Sequence, residues 1–542
     1  MTAHDTLRAA LEKAAASLGA PTTDVLLERP KDPAHGDVAT NLALTLAKTL
    51  KAKPRDVATQ LVAALELPSG VVKKIEIAGP GFINFFLAET QLADVLGTVL
   101  ARGPQYGITD DGQRRLVNVE FVSANPTGPL HVGHGRQAAI GDAIATLLEW
   151  TGWEVTREFY YNDAGTQIAN LARSVQARIK GSAIPEGGYH GEYIKEIADR
   201  YVAEHPKDKE GDALDAIRVF AIAELRKEQD RDLQSFGITF DVYFLESSLY
   251  TDGRVERTVS RLVAAGHTFE EDGALWLRTT EFGDDKDRVM KKSAAKGGDY
   301  TYFVPDVAYH ADKWERGFHR AIDVQGADHH STVTRVRIGL QALDMGIAKG
   351  YPEYVLHQMV TVMKGGEEMK ISKRAGSYLT VRELIDEVGR DAVRFFFLMR
   401  RADSHLVFDV DLAKQQTEEN PVFYVQMAHA RMSGIFRVAA RDVASATTEG
   451  VDLAVLREDD ERDLLKMIAE FPAIVQGAAA MLEPHRITAF LEALARTAHA
   501  WYHKFRVLGE PEEAARLVLA RAVRQVLANG LSLIGISAPD RM

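Results

Sequence analysis

Residues 117–136 read VNVEFVSANPTGPLHVGHGR, and the fold follows from how that stretch divides. Its first six residues are apolar and β-branched enough for a short buried strand. Residues 123–129, SANPTGP, are turn chemistry, with Asn125-Pro126 and Gly128-Pro129 stopping regular structure. From Leu130 a helix opens, its apolar run covering 138–150. A strand, a tight turn and a helix N-terminus together make a phosphate site, because the first N–H groups of a helix lack intrahelical acceptors. Gly133 and Gly135 let a nucleotide approach the backbone. His131 and His134, three apart, share a face of the first turn and can donate to phosphate oxygens. Such a pair also fits a solvated helix start or a metal pair, though the chain has no cysteine and no HExxH pattern to favour zinc.

The bulk properties set the frame around this stretch. A chain of 542 residues implies three or four domains. Hydrophobic content of 46% with 26% charged residues describes an ordinary soluble chain with full-sized cores. The absence of cysteine excludes a disulfide framework and fits a reducing cytoplasm. No uncharged apolar run is long enough to span a bilayer, and no basic-then-apolar leader opens the chain, so no membrane segment is expected. A net charge of −12 argues against a general nucleic-acid coat protein but leaves room for local basic faces.

Residues 1–110 read as a small α+β domain, with helices over 6–18, 41–50 and 57–65 and strands over 71–78 and 82–87. Phe82 and Asn84 put an aromatic beside an amide, a combination that stacks on and reads an unpaired base; two residues of an ordinary strand are the alternative. The polar stretch 103–115 makes a domain boundary. Beyond it come a strand over 154–161 and a helix over 163–179 with Asp163 near its N-cap. Charged helices over 193–205 and 215–235 mark an insertion at about 181–266. Strands are expected again at 274–279, 300–304, 320–326 and 354–363, giving a mainly parallel sheet that binds ligands at its carboxyl ends.

Two constellations lie on that second half. Gly326-Ala327-Asp328-His329-His330 follows an apolar strand, so Gly326 suits close approach to a ribose and Asp328 can accept from its hydroxyls. Residues 364–374, KGGEEMKISKR, set Lys370, Ser372 and Lys373 between glycine hinges, as a mobile clamp on a triphosphate would. From about residue 406 the pattern becomes all-helical, over 420–438, 459–481, 487–506 and 512–534. From Arg486 onward 8 basic residues face 5 acidic ones, against the global balance. Within 501–506, WYHKFR, the face of Trp501 and Phe505 reads as core, and Tyr502, Lys504 and Arg506 are the exposed candidates for single-stranded RNA.

The HxGH pattern ending at His134 and the KISKR stretch about 240 residues later resemble the two signatures of class I aminoacyl-tRNA synthetases. GPGFINFFL at 79–87, YYNDAGTQI at 160–168, GADHH at 326–330, GRDAVRFFF at 389–397 and NPVFYVQMAHAR at 420–431 narrow the resemblance to the arginyl-tRNA synthetase family over essentially the whole length. It implies an α/β multidomain protein: a Rossmann-like parallel-sheet catalytic domain at 111–405 with a helical insertion, an N-terminal α+β domain at 1–110 for the tRNA elbow, and a C-terminal all-α bundle at 406–542 for the anticodon. It further implies a monomeric cytoplasmic ligase that activates L-arginine with ATP and Mg²⁺, releases pyrophosphate and charges tRNA(Arg), with no protein-ligated metal, no DNA and no membrane partner. Carried over by position, His131, His134, Lys370 and Lys373 handle the phosphates, and Gly133, Gly326, Asp328, His329 and Ser372 complete the ATP site. Glu120, Asn125, Tyr302 and Asp306 bind arginine; Phe82 and Asn84 meet the tRNA elbow; Tyr502, Lys504 and Arg506 meet the anticodon side. Where some family members place a glutamine near this chain's Gly326 or Ala327, Gln325 and Asp328 are the two substitutes. Cysteine and glutamate synthetases fit less well, since no thiolate zinc site exists and the pocket is acidic.

Overall fold

The computed structural model describes residues 3–20, 25–28, 30, 32, 35–68, 70–87, 89–369 and 379–542. Its first module runs α1 (Ala3–Ser17), β1 (Val38–Thr40), α2 (Leu42–Leu46), α3 (Pro54–Ala64), β2 (Val72–Ala78) and β3 (Phe82–Leu87), with α4 (Glu89–Arg102) leading out. The three strands form an antiparallel sheet in the order β1-β3-β2. Leu7, Leu11, Val57, Leu61 and Phe85 are fully buried beneath it, the stripe spacing that an amphipathic helix on a half-covered sheet requires.

The second module alternates β4 (Leu116–Glu120), α5 (Val132–Trp150), β5 (Glu154–Tyr161) and α6 (Gly165–Ile179). The insertion helices α7 (Glu192–Glu204) and α8 (Leu214–Ser235) follow, then β6 (Val242–Leu245), α9 (Glu246–Thr251) and α10 (Arg254–Ala264). A small antiparallel sheet, β7 (Thr268–Glu271), β8 (Ala274–Leu277) and β9 (Arg288–Lys291), precedes α11 (Phe303–Glu315), β10 (Ala321–Gly326), α12 (His330–Gln341) and β11 (Glu353–His357). Last come β12 (Val360–Lys364), β13 (Glu367–Glu368), α13 (Val381–Val388), α14 (Arg390–Leu398), β14 (Leu406–Asp409) and α15 (Val410–Lys414).

The principal sheet is parallel throughout, in the order β11-β10-β4-β5-β6. Val117, Val119, Ile322 and Val324 are buried in its central strands, as helices on both faces demand. Chain order runs from β4 outward through β5 and β6, then returns to the other side with β10, so the crevice opens beyond the carboxyl ends of β4 and β10. α5 lies close to that crevice because Gly141 has no side chain: a Cβ there would overlap Phe121 Cγ.

Four local expectations change. The strand foreseen at 300–304 is a turn entering α11, because Val304, Val307, Ala308 and Ala311 bury one helical face; Pro305 is tolerated in the first turn, where its missing N–H would lack an acceptor. The strand at 274 belongs to the small antiparallel sheet, and 354–363 breaks into β11 and β12, which join different sheets. Asp163 does not cap α6; its carboxylate accepts from Ser247 N at 3.0 Å and Ser247 Oγ at 2.7 Å. β14 pairs in parallel with β12.

The third module is the bundle α16 (Pro421–Val438), α17 (Asp459–Met481), α18 (His485–Lys504) and α19 (Glu513–Leu533). α17 is long and apolar enough to cross a bilayer, yet Leu464, Leu465, Ile468, Phe471 and Val475 are buried in the bundle. α4 packs on α17 and α19. Tyr106 Oη donates to Ile468 O at 2.8 Å, and Asn529 Nδ2 donates to Gly103 O and Tyr106 O at 3.0 and 2.9 Å. One hydrophobic core therefore runs through all three modules.

Candidate active site

β4 delivers the chain into the crevice, and the next residues leave it sharply. Val122 and Ser123 have φ of 69° and 39°, a region that L-residues avoid and a β-branched one most of all. Ser123 Oγ is the pin: it donates to Glu120 Oε1 at 2.8 Å and accepts from Tyr160 N at 3.2 Å.

His131 is the N-cap of α5. Its Nδ1 accepts from Gly133 N at 3.1 Å and His134 N at 3.3 Å, while His134 Nδ1 accepts from His131 N at 3.4 Å. The rings stack with centroids 3.7 Å apart. An accepting Nδ1 puts the proton of a neutral imidazole on Nε2. Both rings are thus set in the tautomer that donates from Nε2 to an incoming oxygen. Gly133 serves this arrangement, since a Cβ there would meet the His131 ring at 3.0 Å.

Behind the rim lies a buried charge network. Lys313 Nζ, fully enclosed, donates to Glu120 Oε2 at 2.6 Å and Asp323 Oδ1 at 3.0 Å. Asp323 Oδ2 is 2.6 Å from His310 Nε2, and His310 Nδ1 is 2.8 Å from Asp306 O. Burial opposes the charge on Lys313 and His310, but the carboxylates beside them hold both protonated above their ordinary ranges. Glu158 accepts two hydrogen bonds from Arg316, each at 2.9 Å, one from Tyr309 Oη at 2.7 Å and one from Asn118 Nδ2 at 2.9 Å. Glu120, His310 and Asp323 have the spacing of a metal site, but the Lys313 ammonium already lies on two of them.

Asp306 and Glu246 differ from these. Among the described residues no cation pairs with either. Burial, reinforced by Glu246, Glu120 and Asp323 against the opposing His310, pushes the Asp306 carboxyl up to about 7. Burial also raises Glu246, whose Oε2 accepts from Tyr160 Oη at 2.9 Å. Two carboxylates at a sheet rim with no counter-ion form an acceptor for a cation.

Asp306 lies in the first turn of α11. Lys313 and Ser123 engage the two oxygens of Glu120. Tyr302 is 76% exposed, and the hydroxyl beside Glu246 is that of Tyr160. Asn125 lies in the turn, its Nδ2 donating to Gln167 Oε1 at 2.7 Å. Sequence reasoning missed Glu246, although it directly follows the carboxyl end of a strand, where site residues collect. Asp323 had a signal too: a charge inside the otherwise apolar strand β10.

On the other side of the crevice Gly326 ends β10, and a Cβ there would meet Asp328 Oδ1 at 2.5 Å. The Asp328 and His329 side chains are exposed, 3.8 Å apart. Of the two substitutes for the family glutamine, Gln325 carries the mark of an unmet contact: its Oε1 is buried and has no hydrogen-bond partner among the described residues. Lys370, Ser372 and Lys373 lie outside the described residues. Their flanks converge on the histidines, for Thr380 bridges His131 and Val381 N donates to Leu130 O at 2.8 Å. Far from this crevice, Phe82 is 41% exposed but Asn84 only 3%, so the base-reading expectation does not extend to Asn84, whose amide is buried in the strand. Tyr502, Lys504 and Arg506 are exposed on the bundle, with Lys504 Nζ 2.7 Å from Asp460 Oδ2.

Comparison with known proteins agrees along the whole chain. Residues 1–87 match the arginyl tRNA synthetase N terminal domain, 95–433 the class I (R) tRNA synthetase catalytic domain, and 425–542 the DALR anticodon binding domain. Proteins named arginine–tRNA ligase from Geobacter metallireducens and Geotalea daltonii are 57% and 58% identical, each alignment covering 96% of this chain and 95% of the relative. The arginyl-tRNA synthetase of Thermus thermophilus superposes with a TM-score of 0.79 at 22% identity, over 99% of this chain and all of that one, a likeness of fold. With its sheet order, its histidine-capped helix and its three domains all accounted for, the chain belongs to the arginyl-tRNA synthetase family.

Proposed function

We propose that the chain is an arginine–tRNA ligase whose crevice activates L-arginine with ATP and passes the arginyl group to tRNA(Arg). The observation that carries the amino-acid assignment is the pair Asp306 and Glu246, two carboxylates that no cation among the described residues pairs with, behind a phosphate-binding helix N-terminus. Arginine is the amino acid whose side chain is a planar, permanently charged fork of donors. Its rigid planar fork pairs with carboxylates bidentately, a fixed geometry that the point charge of an ammonium does not supply.

In the first step an arginine carboxylate oxygen attacks the α-phosphorus of ATP, the α–β bridging bond breaks, and pyrophosphate leaves. Negative charge builds on oxygens, so fixed donors lower the barrier and no nucleophilic side chain is required. His131 and His134 donate from Nε2 to the phosphates; Lys370 and Lys373 meet the leaving pyrophosphate, with Ser372 between them; ATP enters as its magnesium complex. Asn125 and Gln325 hold the α-amino and carboxylate end, and Gly326, Asp328 and His329 border the ribose. In the second step a terminal ribose hydroxyl of tRNA attacks the activated carbonyl and AMP leaves. Phe82 on the first module and Tyr502, Lys504 and Arg506 on the bundle are the tRNA contacts, and the reading is of a monomeric cytoplasmic enzyme.

Charging of total tRNA by each of the twenty amino acids is the test. Arginine alone should be esterified, and Glu246→Gln should raise the arginine KM about 30-fold or more, the loss of a desolvated charge partner. Charging with lysine at comparable efficiency would overturn the assignment.

A further inference from the structure

The strained turn between β4 and α5 does not hold itself. Val122 and Ser123 sit at positive φ, and such backbone persists only where its surroundings over-determine it. The carbonyls just beyond them are held from outside the sheet. Gln229 Nε2, on insertion helix α8, donates to Asn125 O at 3.2 Å and Gly128 O at 2.9 Å. Tyr193 Oη, on α7, donates to Thr127 O at 2.9 Å. Gln229 is fully buried, and two carbonyl neighbours dictate that its NH₂ group faces the turn. Among the described residues its Oε1 has no partner, and the hydrogen bonds its amide makes there are the two donations to this turn.

The same helix reaches the far wall of the crevice. Asp232, one turn beyond Gln229, pairs through Oδ1 with Arg382 Nε at 3.1 Å, and Arg382 Nη2 donates to Arg231 O at 2.9 Å. Arg382 is on α13, whose N-cap Thr380 bridges His131. α8 thereby grips both the turn that carries Asn125 and the helix that follows the lysine stretch.

We propose that Gln229 is a positioning residue for arginine activation: its buried amide fixes the Asn125–Gly128 turn, and with it the Asn125 side chain and the start of α5, in the geometry the reaction needs. The inference rests on the reading of Asn125 as an arginine contact. Both hydrogens of one amide converge on a turn that has strain to release, so removing the donors lets Asn125 drift. Misplacement of about 1 Å is enough to lose on the order of 10²-fold in rate.

The experiment is arginine-dependent pyrophosphate exchange by the full chain with tRNA(Arg) present. Gln229→Met keeps the shape and removes both donors; Gln229→Glu is isosteric and sets a carboxylate against the carbonyls. Both should lose about 10- to 100-fold in kcat/KM for arginine with the KM for ATP nearly native; Gln229→Met should keep a nearly native Tm, and Gln229→Glu, which buries an unpaired carboxylate, should lower it. Combined with Asn125→Ala, Gln229→Met should add less than its own single effect, as residues acting through one interaction do. Gln176→Met is the control: that amide donates to Gly211 O at 2.7 Å, away from the turn, and its loss should leave exchange unchanged. Native arginine kinetics in Gln229→Met alongside an impaired Asn125→Ala overturn the positioning role alone. Native kinetics in Asn125→Ala overturn the reading of the site instead. If the Gln229 variants do not fold, Tyr193→Phe carries the test, with a roughly threefold to tenfold loss expected and native kinetics overturning the proposal.

Discussion

His131 and His134 show how a short motif encodes a protonation state. Each ring's Nδ1 accepts a backbone N–H at the start of α5, which in the neutral ring leaves Nε2 as the donor. His134→Ala should therefore lower adenylate formation by roughly 10²-fold or more while arginine binding changes little; unchanged pyrophosphate exchange in the folded variant would contradict the role. Asp306 carries the opposite lesson. Its carboxyl, pushed up to about 7 by burial among other acids, must lose a proton before it meets a guanidinium, so arginine affinity should rise with pH toward and through 7. The stability sign follows: the folded state holds the proton between the unfolded carboxyl's ordinary value and about 7, so ionising Asp306 lowers stability as pH rises across that window. Asp306→Asn should weaken arginine binding by about 2–5 kcal/mol, flatten the pH dependence, and raise the Tm of the ligand-free enzyme at pH 8. A lower Tm with undiminished arginine affinity would show that Asp306 does not face the substrate.

The position of α5 depends on an absence. Its flank Ala138, Ala139, Gly141 and Ala145 is small, and a Cβ at Gly141 would overlap the Phe121 side chain. The helix approaches the strand end closely, which sets its N-terminus over the crevice. Gly141→Ala forces the two apart or moves the Phe121 ring; overpacking of this kind costs about 1–3 kcal/mol. Urea unfolding should record that destabilisation, and pyrophosphate exchange should fall with it because the histidines shift with their helix. A variant destabilised by that amount but fully active would mean the histidine positions tolerate movement of α5. The insertion is read the same way: α7 and α8 have a hydrophobic core of their own, yet Gln229, Tyr193 and Asp232 turn its polar side chains toward the crevice.

The modules are distinct in architecture and continuous in their packing. Lys466 on the bundle pairs with Asp37 on the first module at 2.7 Å, and fully buried Arg394 joins Ile534 O at 2.8 Å to Asp142 at 2.6 Å. Cutting the chain at residue 420 would uncover the side of the core that α4 and α14 share with the bundle, so the bundle's role is better tested on its surface. Lys504→Glu with Arg506→Glu should weaken tRNA binding and reduce the slope of log affinity against log salt by about one for each phosphate no longer neutralised. Arginine-dependent exchange at saturating tRNA should be unaffected. An unchanged salt slope would place the anticodon-binding surface elsewhere on the bundle.

Local chemistry was legible from the residues alone: the strand–turn–helix of 117–136, the histidine pair, the helices of the insertion and bundle within a few residues of their ends, and through family resemblance the enzyme class. These depend on periodicity and on motifs contained within a few turns of chain, which no distant segment overrides. The strand expected at 300–304 failed for the complementary reason. A short apolar window fits strand or helix, and burial of Val304, Val307, Ala308 and Ala311 against the neighbouring layers made it α11. The partition of the acids was likewise invisible in sequence. Glu120 and Asp306 are both carboxylates near the motif, and only the fold sets Lys313, 193 residues away, on Glu120 while no cation among the described residues pairs with Asp306. Which buried acid meets a cation depends on distances between segments remote in the chain, and the packed sheet is what sets those distances.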